Sequence, residues 1–126
     1  MLKMLVPLAG VILLFFADPG TAQELLRNPG FEGPVINGVA AGWKDNSGWA
    51  EVDIDYSVDE EGVGNKAQHI LCKRVASGAV QFVQQGVPLE KGQGYRTTIR
   101  ARGRLEGPLE VSLRQKGTPY AVYARK

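Results

Sequence analysis

The chain has 126 residues, of which 44% are hydrophobic and 22% are charged, so it is long enough for one domain with its own core but not for two. Lys and Arg number 15 and Asp and Glu number 13, which gives a net charge of +2. A balance so close to neutral gives no reason to expect a nucleic acid or an anionic membrane as the partner.

The N-terminal 22 residues have the pattern of a secretory signal peptide. Lys3 supplies a short positive region, and residues 4–17 are almost wholly apolar. That run is shorter than the about 20 residues that a membrane-spanning helix needs. An uncleaved N-terminal anchor stays open as the alternative.

A cleavage site is readable at the end of this segment. Gly20 and Ala22 are small residues at the −3 and −1 positions before Gln23. We therefore expect a mature chain of residues 23–126 that is secreted, either extracellular or periplasmic, and has no membrane contact after cleavage.

Cysteine usage limits how this secreted chain can be stabilised. Cys72 is the single cysteine, so no internal disulfide can form. Its alternation with Ile70 favours a buried strand position over a reactive or intermolecular thiol.

The mature chain is predicted to be all-β, because 16 glycines and 7 prolines punctuate the whole chain and interrupt every candidate helix after the signal. Leu25-Leu26 predicts a short first strand, ended by the turn Asn28-Pro29-Gly30, and residues 33–41 predict an irregular exposed loop. Further strands are predicted at 49–57, 67–75, 79–85, 95–102, 109–113 and 120–124, with an acidic loop at 59–65.

Five short stretches, taken in order, resemble the CenC-type carbohydrate-binding modules, the group of families 4, 9 and 22 attached to secreted glycoside hydrolases. The matching stretches are Leu25 to Glu32 (LLRNPGFE), Gly42-Trp43, Gly78 to Gln85 (GAVQFVQQ), Lys91-Gly92 with Tyr95-Arg96, and Ala101-Arg102-Gly103. The resemblance implies a jelly-roll β-sandwich of the galactose-binding-like type, a structural calcium ion near the opening turn, and a sugar-binding groove or loop platform. Because the chain stops inside its last predicted strand, we expect the module to lack its closing strand or strands. The alternative is that this last strand is itself the closing edge.

Sugar binding needs flat aromatic faces for the C–H side of the ring, together with amides or charged groups for the hydroxyls. Trp49 and Tyr123 are aromatic candidates, and Trp49 follows a loop rich in small polar residues. Gln84 and Gln85 lie on the strand that lines the groove in the resembling family. Arg100 belongs to a row of arginines that could pair with an anionic sugar.

Each sugar candidate has a structural alternative. The glutamines could be ordinary solvated strand residues, and the arginine row could be a solvated outer face. Trp43, next to the opening turn, favours the core over the sugar platform, and Phe31 is predicted to be a core anchor.

The calcium ion of the resembling family would need hard oxygen ligands. Glu32 is the carboxylate that the matching motif supplies. Glu51 and the backbone carbonyl of Lys66 could add to it. The acidic run from Asp59 to Glu61 is predicted to be a solvated loop instead.

Catalysis has little support in the sequence. His69 is the single histidine and lies in an apolar run, so no Ser-His-Asp or Cys-His arrangement can be argued. No spacing selects a pair of carboxylates for glycoside hydrolysis. The prediction is a monomeric, non-catalytic module that binds a polysaccharide or oligosaccharide beside a linked glycoside hydrolase domain. A structural or adhesion β-sandwich without sugar affinity is the alternative.

Overall fold

A computed structural model describes residues 2–6, 10–15, 23–60 and 65–126, with the first two ranges described as backbone strands. The predicted cleavage-site residues Gly20 and Ala22 lie outside the described residues, as does the centre of the predicted acidic loop at 61–64.

The described residues form strands and no helix, which confirms the all-β prediction. The strands are β1 (Leu2–Val6), β2 (Gly10–Phe15), β3 (Val35–Ile36), β4 (Val39–Ala40), β5 (Lys44–Asp45), β6 (Glu51–Glu60), β7 (Lys66–Ser77), β8 (Val80–Gln84), β9 (Ile99–Gly103), β10 (Glu110–Arg114) and β11 (Val122–Arg125).

Two antiparallel sheets carry most of these strands. The five-stranded sheet has the order β11-β10-β1-β8-β5, and the four-stranded sheet has the order β6-β7-β2-β9. The N-terminal segment predicted to be a signal peptide supplies an inner strand to each sheet, with β1 between β10 and β8 and β2 between β7 and β9.

A core shared by the two sheets makes the arrangement consistent with a β-sandwich. Ile70 and Cys72 of β7 pack in one cluster with Val80 and Phe82 of β8. Cys72 is buried, as predicted, and burial raises the pKa of its thiol. The hydrophobic effect at this cluster therefore holds the four-stranded and five-stranded sheets together.

The opening turn delivers two aromatic side chains to this core. Phe31 is fully buried and Trp43 is 7% exposed, as predicted. The Trp43 ring stacks on Phe82 with 5.2 Å between centroids, and the Phe31 ring lies 5.5 Å from Trp43. Aromatic contacts of this kind stabilise the core beyond the contribution of the area that the rings bury.

Asn28 fixes the shape of that turn. Its Oδ1 accepts the Glu32 N–H at 2.6 Å, and its Nδ2 donates to the carbonyls of Glu32 and Ala41 at 2.8 and 2.7 Å. The Asn28 carbonyl accepts the Trp43 indole N–H at 3.0 Å. The prediction of a strand at Leu25-Leu26 is wrong, because this segment has no ladder partner and Leu26 instead packs against the core.

The loop predicted to be irregular contains the β3–β4 hairpin. Asn37 and Gly38 have φ of 50° and 77°, the pair of positive values that a two-residue type I′ turn requires. The buried Gln68 side chain of β7 holds the hairpin in place: its Oε1 accepts the Ala40 N–H at 3.0 Å, and its Nε2 donates to the Gly38 carbonyl at 2.8 Å.

Candidate functional site

A cleft of about 360 Å³ opens where the two sheets come together at their edges. β5 ends the five-stranded sheet and β6 ends the four-stranded sheet, and the β3–β4 turn closes a third side. We call this the β5–β6 cleft. It is lined by Asn37, Asp45, Ser47, Gly48, Ala50, Val52, Ile54 and Tyr56. Its volume lies within the roughly 300–1,000 Å³ of small-molecule sites.

The floor of the β5–β6 cleft is the inward face of β6. Alternation along the strand turns Val52, Ile54 and Tyr56 towards the core, and these side chains are partly buried there. The opposite face of β6 carries acidic residues that pair across to β7, including Asp55 with Lys73 at 2.7 Å. The cleft therefore combines an apolar floor with polar walls.

One carboxylate organises the polar wall. Oδ1 of Asp45 accepts the Tyr56 phenol O–H at 2.9 Å and the Ser47 backbone N–H at 2.9 Å. Burial, and then the neighbouring Asp45 carboxylate, raise the pKa of Tyr56 far above its usual value. The phenol therefore remains a hydrogen-bond donor at alkaline pH as well as at neutral pH.

The β5–β6 loop is tied to the neighbouring strand β8. The buried Ser47 hydroxyl accepts the Gln81 N–H at 2.8 Å, and the Asn46 N–H donates to the Gln81 carbonyl at 2.7 Å. The Asn46 side-chain amide also donates to Oε1 of Gln81 at 3.0 Å. These bonds fix the wall before any ligand arrives, which lowers the ordering cost of binding.

Trp49 lies on this loop between two residues that line the cleft, Gly48 and Ala50. Its side chain is 60% exposed, as a sugar platform requires. One ring edge rests against Gly78, where a Cβ atom would lie only 2.8 Å from Cζ3 of the indole. The ring is therefore supported on one edge and open to solvent on much of its surface.

Gln84 does not face a groove. Its side chain is 1% exposed, its Oε1 accepts the Arg27 N–H, and its Nε2 donates to the Arg27 carbonyl, both at 2.7 Å. Because both ends of the amide are engaged inside the fold, Gln84 fixes the chain that leads into the opening turn. Gln85 follows β8 and is half-buried.

Arg100 and Tyr123 lie away from the β5–β6 cleft. Arg100 is exposed on β9, three strand spacings or about 14 Å across the sheet from β6. Tyr123 is 64% exposed on β11, four spacings or about 19 Å from β5. The structure therefore does not gather the predicted sugar-binding residues into one site. Of these residues, Trp49 alone is adjacent in sequence to residues that line the cleft, and it is not itself part of the lining.

The predicted calcium ligands are also not gathered. Glu32 and Lys66 are neighbours, but the Lys66 ammonium forms an ion pair with the Glu32 carboxylate at 3.1 Å. Glu51 begins β6 while Lys66 pairs with the other end of that strand, a separation of about 30 Å along the ladder. Glu51 instead pairs with Arg74 at 3.3 Å.

A three-ligand calcium site therefore does not fit the predicted residues. The part of the chain that the structure describes also holds no group of three or more His, Cys, Asp or Glu side chains placed to bind one metal ion. We derive no role for the cleft from calcium.

A Ser, a His and an Asp do meet on β6 and β7, although the sequence did not indicate it. Nδ1 of His69 lies 3.4 Å from the Ser57 hydroxyl and 3.6 Å from an Asp59 carboxylate oxygen. A catalytic relay uses the two ring nitrogens separately, one for the nucleophile and one for the acid. Here both neighbours face the same nitrogen, so the geometry is that of a surface polar cluster.

Asn37 and Asp45 are the cleft residues that the sequence reasoning missed. The signal for Asn37 was the Asn37-Gly38 dipeptide between apolar pairs, which is typical of a tight hairpin. Asp45 carried no signal, because its partners Ser47 and Tyr56 become meaningful only once β5 and β6 are brought together.

Comparisons with protein-family models, with curated proteins and with solved structures found no match. Among the described residues, the structure has no helix of the length and apolar character needed to span a membrane.

Proposed function

We propose that this chain is a secreted, non-catalytic carbohydrate-binding module with a jelly-roll β-sandwich, and that a polysaccharide or oligosaccharide binds at the β5–β6 cleft. The observation that carries the proposal is a cleft with an apolar floor and fixed polar groups, and the exposed Trp49 lies on the loop between two of its lining residues. A sugar ring offers an apolar C–H face and a rim of hydroxyls, and the cleft has a counterpart for each.

The polar groups of the cleft suit hydroxyls in particular. Oδ2 of Asp45 accepts no hydrogen bond from the described residues, so it is open to a ligand hydroxyl. The exposed Asn37 amide can both donate and accept. Bonds from a hydroxyl to a charged carboxylate are stronger than neutral ones, so Asp45 is the main polar contact of the proposal.

The module would raise the local concentration of a linked enzyme on its polysaccharide and would not itself catalyse a reaction. Holding a linked glycoside hydrolase domain on its polysaccharide makes each later encounter an intramolecular event with a high effective concentration. Such a role needs a preformed site. The Asn46 amide donates to the Gln81 side chain of β8, and the Ser47 hydroxyl accepts the Gln81 N–H, so both bonds fix the wall of the cleft in advance.

The size of the Trp49 contribution can be worked out. Stacking one indole face on a sugar removes about 60–80 Å² of apolar surface from water, a third of what a whole aromatic side chain buries. At about 25 cal/mol per Å² this is roughly 1.5–2 kcal/mol. Trp49→Ala should therefore weaken binding by roughly 10–30-fold.

Affinity electrophoresis tests the proposal. The full sequence of residues 1–126 is expressed, and the secreted protein is run in gels that contain xylan, β-glucan or pectin. We expect at least one polysaccharide to retard the protein, and Trp49→Ala to lose most of the retardation. Tyr123→Ala is the matched control, because this aromatic is equally exposed on the far edge of the five-stranded sheet.

Two results would contradict the proposal. Loss of retardation in Tyr123→Ala but not in Trp49→Ala would move the site to the opposite edge. If no polysaccharide retards a protein that circular dichroism shows to be folded, the structural or adhesion β-sandwich is the correct description.

A further inference from the structure

The predicted signal peptide, residues 1–22, supplies one inner strand to each of the two sheets, and the sequence predicts that this segment is cleaved off. β1 lies between β8 and β10 and is antiparallel to both. β2 lies between β7 and β9 and is again antiparallel to both. Cleavage before Gln23 would therefore take one inner strand from the five-stranded sheet and one from the four-stranded sheet.

The gaps left behind would each be one strand wide. Neighbouring strands lie about 4.8 Å apart, so the strands on either side of a gap stand about 9.6 Å apart, too far to pair with each other. The backbone N–H and C=O groups that faced the lost strand would have no ladder partner, and such rows are templates for pairing with another chain.

The core opposes closure of the gaps. β7 and β8 each border a gap, and their side chains Ile70, Cys72, Val80 and Phe82 form the shared cluster between the sheets. Moving either strand sideways by about 4.8 Å would pull these side chains out of contact, and a single large core truncation already costs about 2–5 kcal/mol. The core therefore opposes closure of the gaps by movement of β7 or β8.

We propose that the mature domain of residues 23–126 is a strand acceptor, and that an extended apolar segment of a partner polypeptide completes each sheet by β-strand addition. The backbone ladder supplies the affinity in this mode of recognition. The occupant must run antiparallel to both of its neighbours, as β1 and β2 do.

The segments now in the gaps give the chemistry of the occupant. They are Leu2–Val6 (LKMLV) and Gly10–Phe15 (GVILLF), five and six residues long, with no proline and one charged residue between them. A partner would therefore offer apolar segments of this length, free of proline, since proline cannot donate to a ladder.

The experiment uses secreted protein whose N-terminus is first read by mass spectrometry, with Gln23 expected as its first residue. A peptide of residues 2–15 with added C-terminal lysines serves as the donor probe. The matched control peptide carries Met4→Pro and Ile12→Pro, which keep length and charge but break both ladders. Hydrogen exchange is followed in the segments 99–103 and 110–114, which border the gaps.

We expect segment 99–103, and those amides of segment 110–114 that are not bonded to β11, to exchange rapidly in the mature protein and to slow at least tenfold with the donor peptide but not with the proline peptide. Three results would overturn the proposal: residues 1–22 retained on the secreted protein, a mature monomer whose segments are already protected and indifferent to the peptide, or protection through a dimer of the chain itself.

A second variant covers the case in which residues 23–126 alone do not fold. The donor segment 2–15 is attached after Lys126 through a flexible linker of about 15 residues, which spans roughly 20 Å. We expect this variant to melt cooperatively and its Met4→Pro, Ile12→Pro counterpart to show no cooperative transition. Equal melting of the two would refute strand addition.

Discussion

The loss of Gln68 should show how much the buried hydrogen bonds of this fold contribute to its stability. Its side chain is fully buried on β7. The amide accepts from the Ala40 N–H at 3.0 Å and donates to the Gly38 and Ser57 carbonyls, both at 2.8 Å. One side chain therefore joins the β3–β4 hairpin to the β6–β7 pair.

Gln68→Ala leaves the Ala40 N–H and the Gly38 and Ser57 carbonyls without this partner. An unsatisfied buried backbone group costs about 1–3 kcal/mol, so the three together should cost at least about 3 kcal/mol. That is a large part of the roughly 5–15 kcal/mol by which a domain is stable. The β3–β4 hairpin should also become more mobile, and the cleft wall at Asn37 should become more mobile with it.

Urea unfolding measures the free energy, and hydrogen exchange at Ala40 measures the loosening. Gln85→Ala is the control, because its half-buried side chain makes no hydrogen bond with the described residues and its loss should cost within about 0.5 kcal/mol. A loss below about 1 kcal/mol for Gln68→Ala, or unchanged exchange at Ala40, would refute the reasoning.

Three further outcomes are expected. Gly78→Ala places a methyl group 2.5 Å from Cβ of Ala50 and 2.8 Å from Cζ3 of Trp49 at a φ of 77°. It should therefore displace this loop, shift the indole fluorescence of Trp49 and weaken polysaccharide retardation; an unchanged spectrum would contradict the contacts. Because the raised pKa of Tyr56 makes the folded state hold its proton more tightly, stability should fall as pH rises above about 10, and Tyr56→Phe should flatten that fall in thermal melts; parallel curves for the two proteins would contradict it. A chelator should leave the melting temperature unchanged, because the Lys66 ammonium already pairs with Glu32; a clear drop would restore the calcium prediction.

Strand existence was readable from the sequence wherever apolar and polar residues alternate. β6, β7, β8, β10 and β11 all lie within a few residues of the predicted strands. The core roles of Phe31 and Trp43 were also predicted. Local signals sufficed here, because a period of two and the residues around a turn are properties of short segments.

What failed depended on contacts between distant segments. Alternation along β8 predicts one solvated face, yet all five of its residues are buried. The Arg27 backbone is hydrogen-bonded to the Gln84 side chain, and the Ser47 hydroxyl is hydrogen-bonded to the Gln81 N–H. Both partners lie more than thirty residues before β8 in the chain. The predicted strand at 95–102 is paired only from Ile99, because 93–98 has no ladder neighbour.

The candidate site was predicted only in part for the same reason. Trp49 stood out because an aromatic side chain beside small polar loop residues is typical of a binding surface. Asp45 could not stand out, since its role depends on the hydrogen bond from Tyr56, eleven residues further along and on the other sheet.

The two tryptophans provide the most direct test of the central claim, because the chain has two and they differ in environment. The indole N–H of Trp43 is bound to the Asn28 carbonyl, whereas Trp49 is exposed on the loop between the cleft-lining residues Gly48 and Ala50. Titrating ¹⁵N-labelled protein with oligosaccharides from a polysaccharide that retards it should shift the Trp49 indole signal and leave the Trp43 signal in place. A titration in which neither signal moves, or in which amides near Tyr123 on β11 move instead, would contradict sugar binding at the cleft.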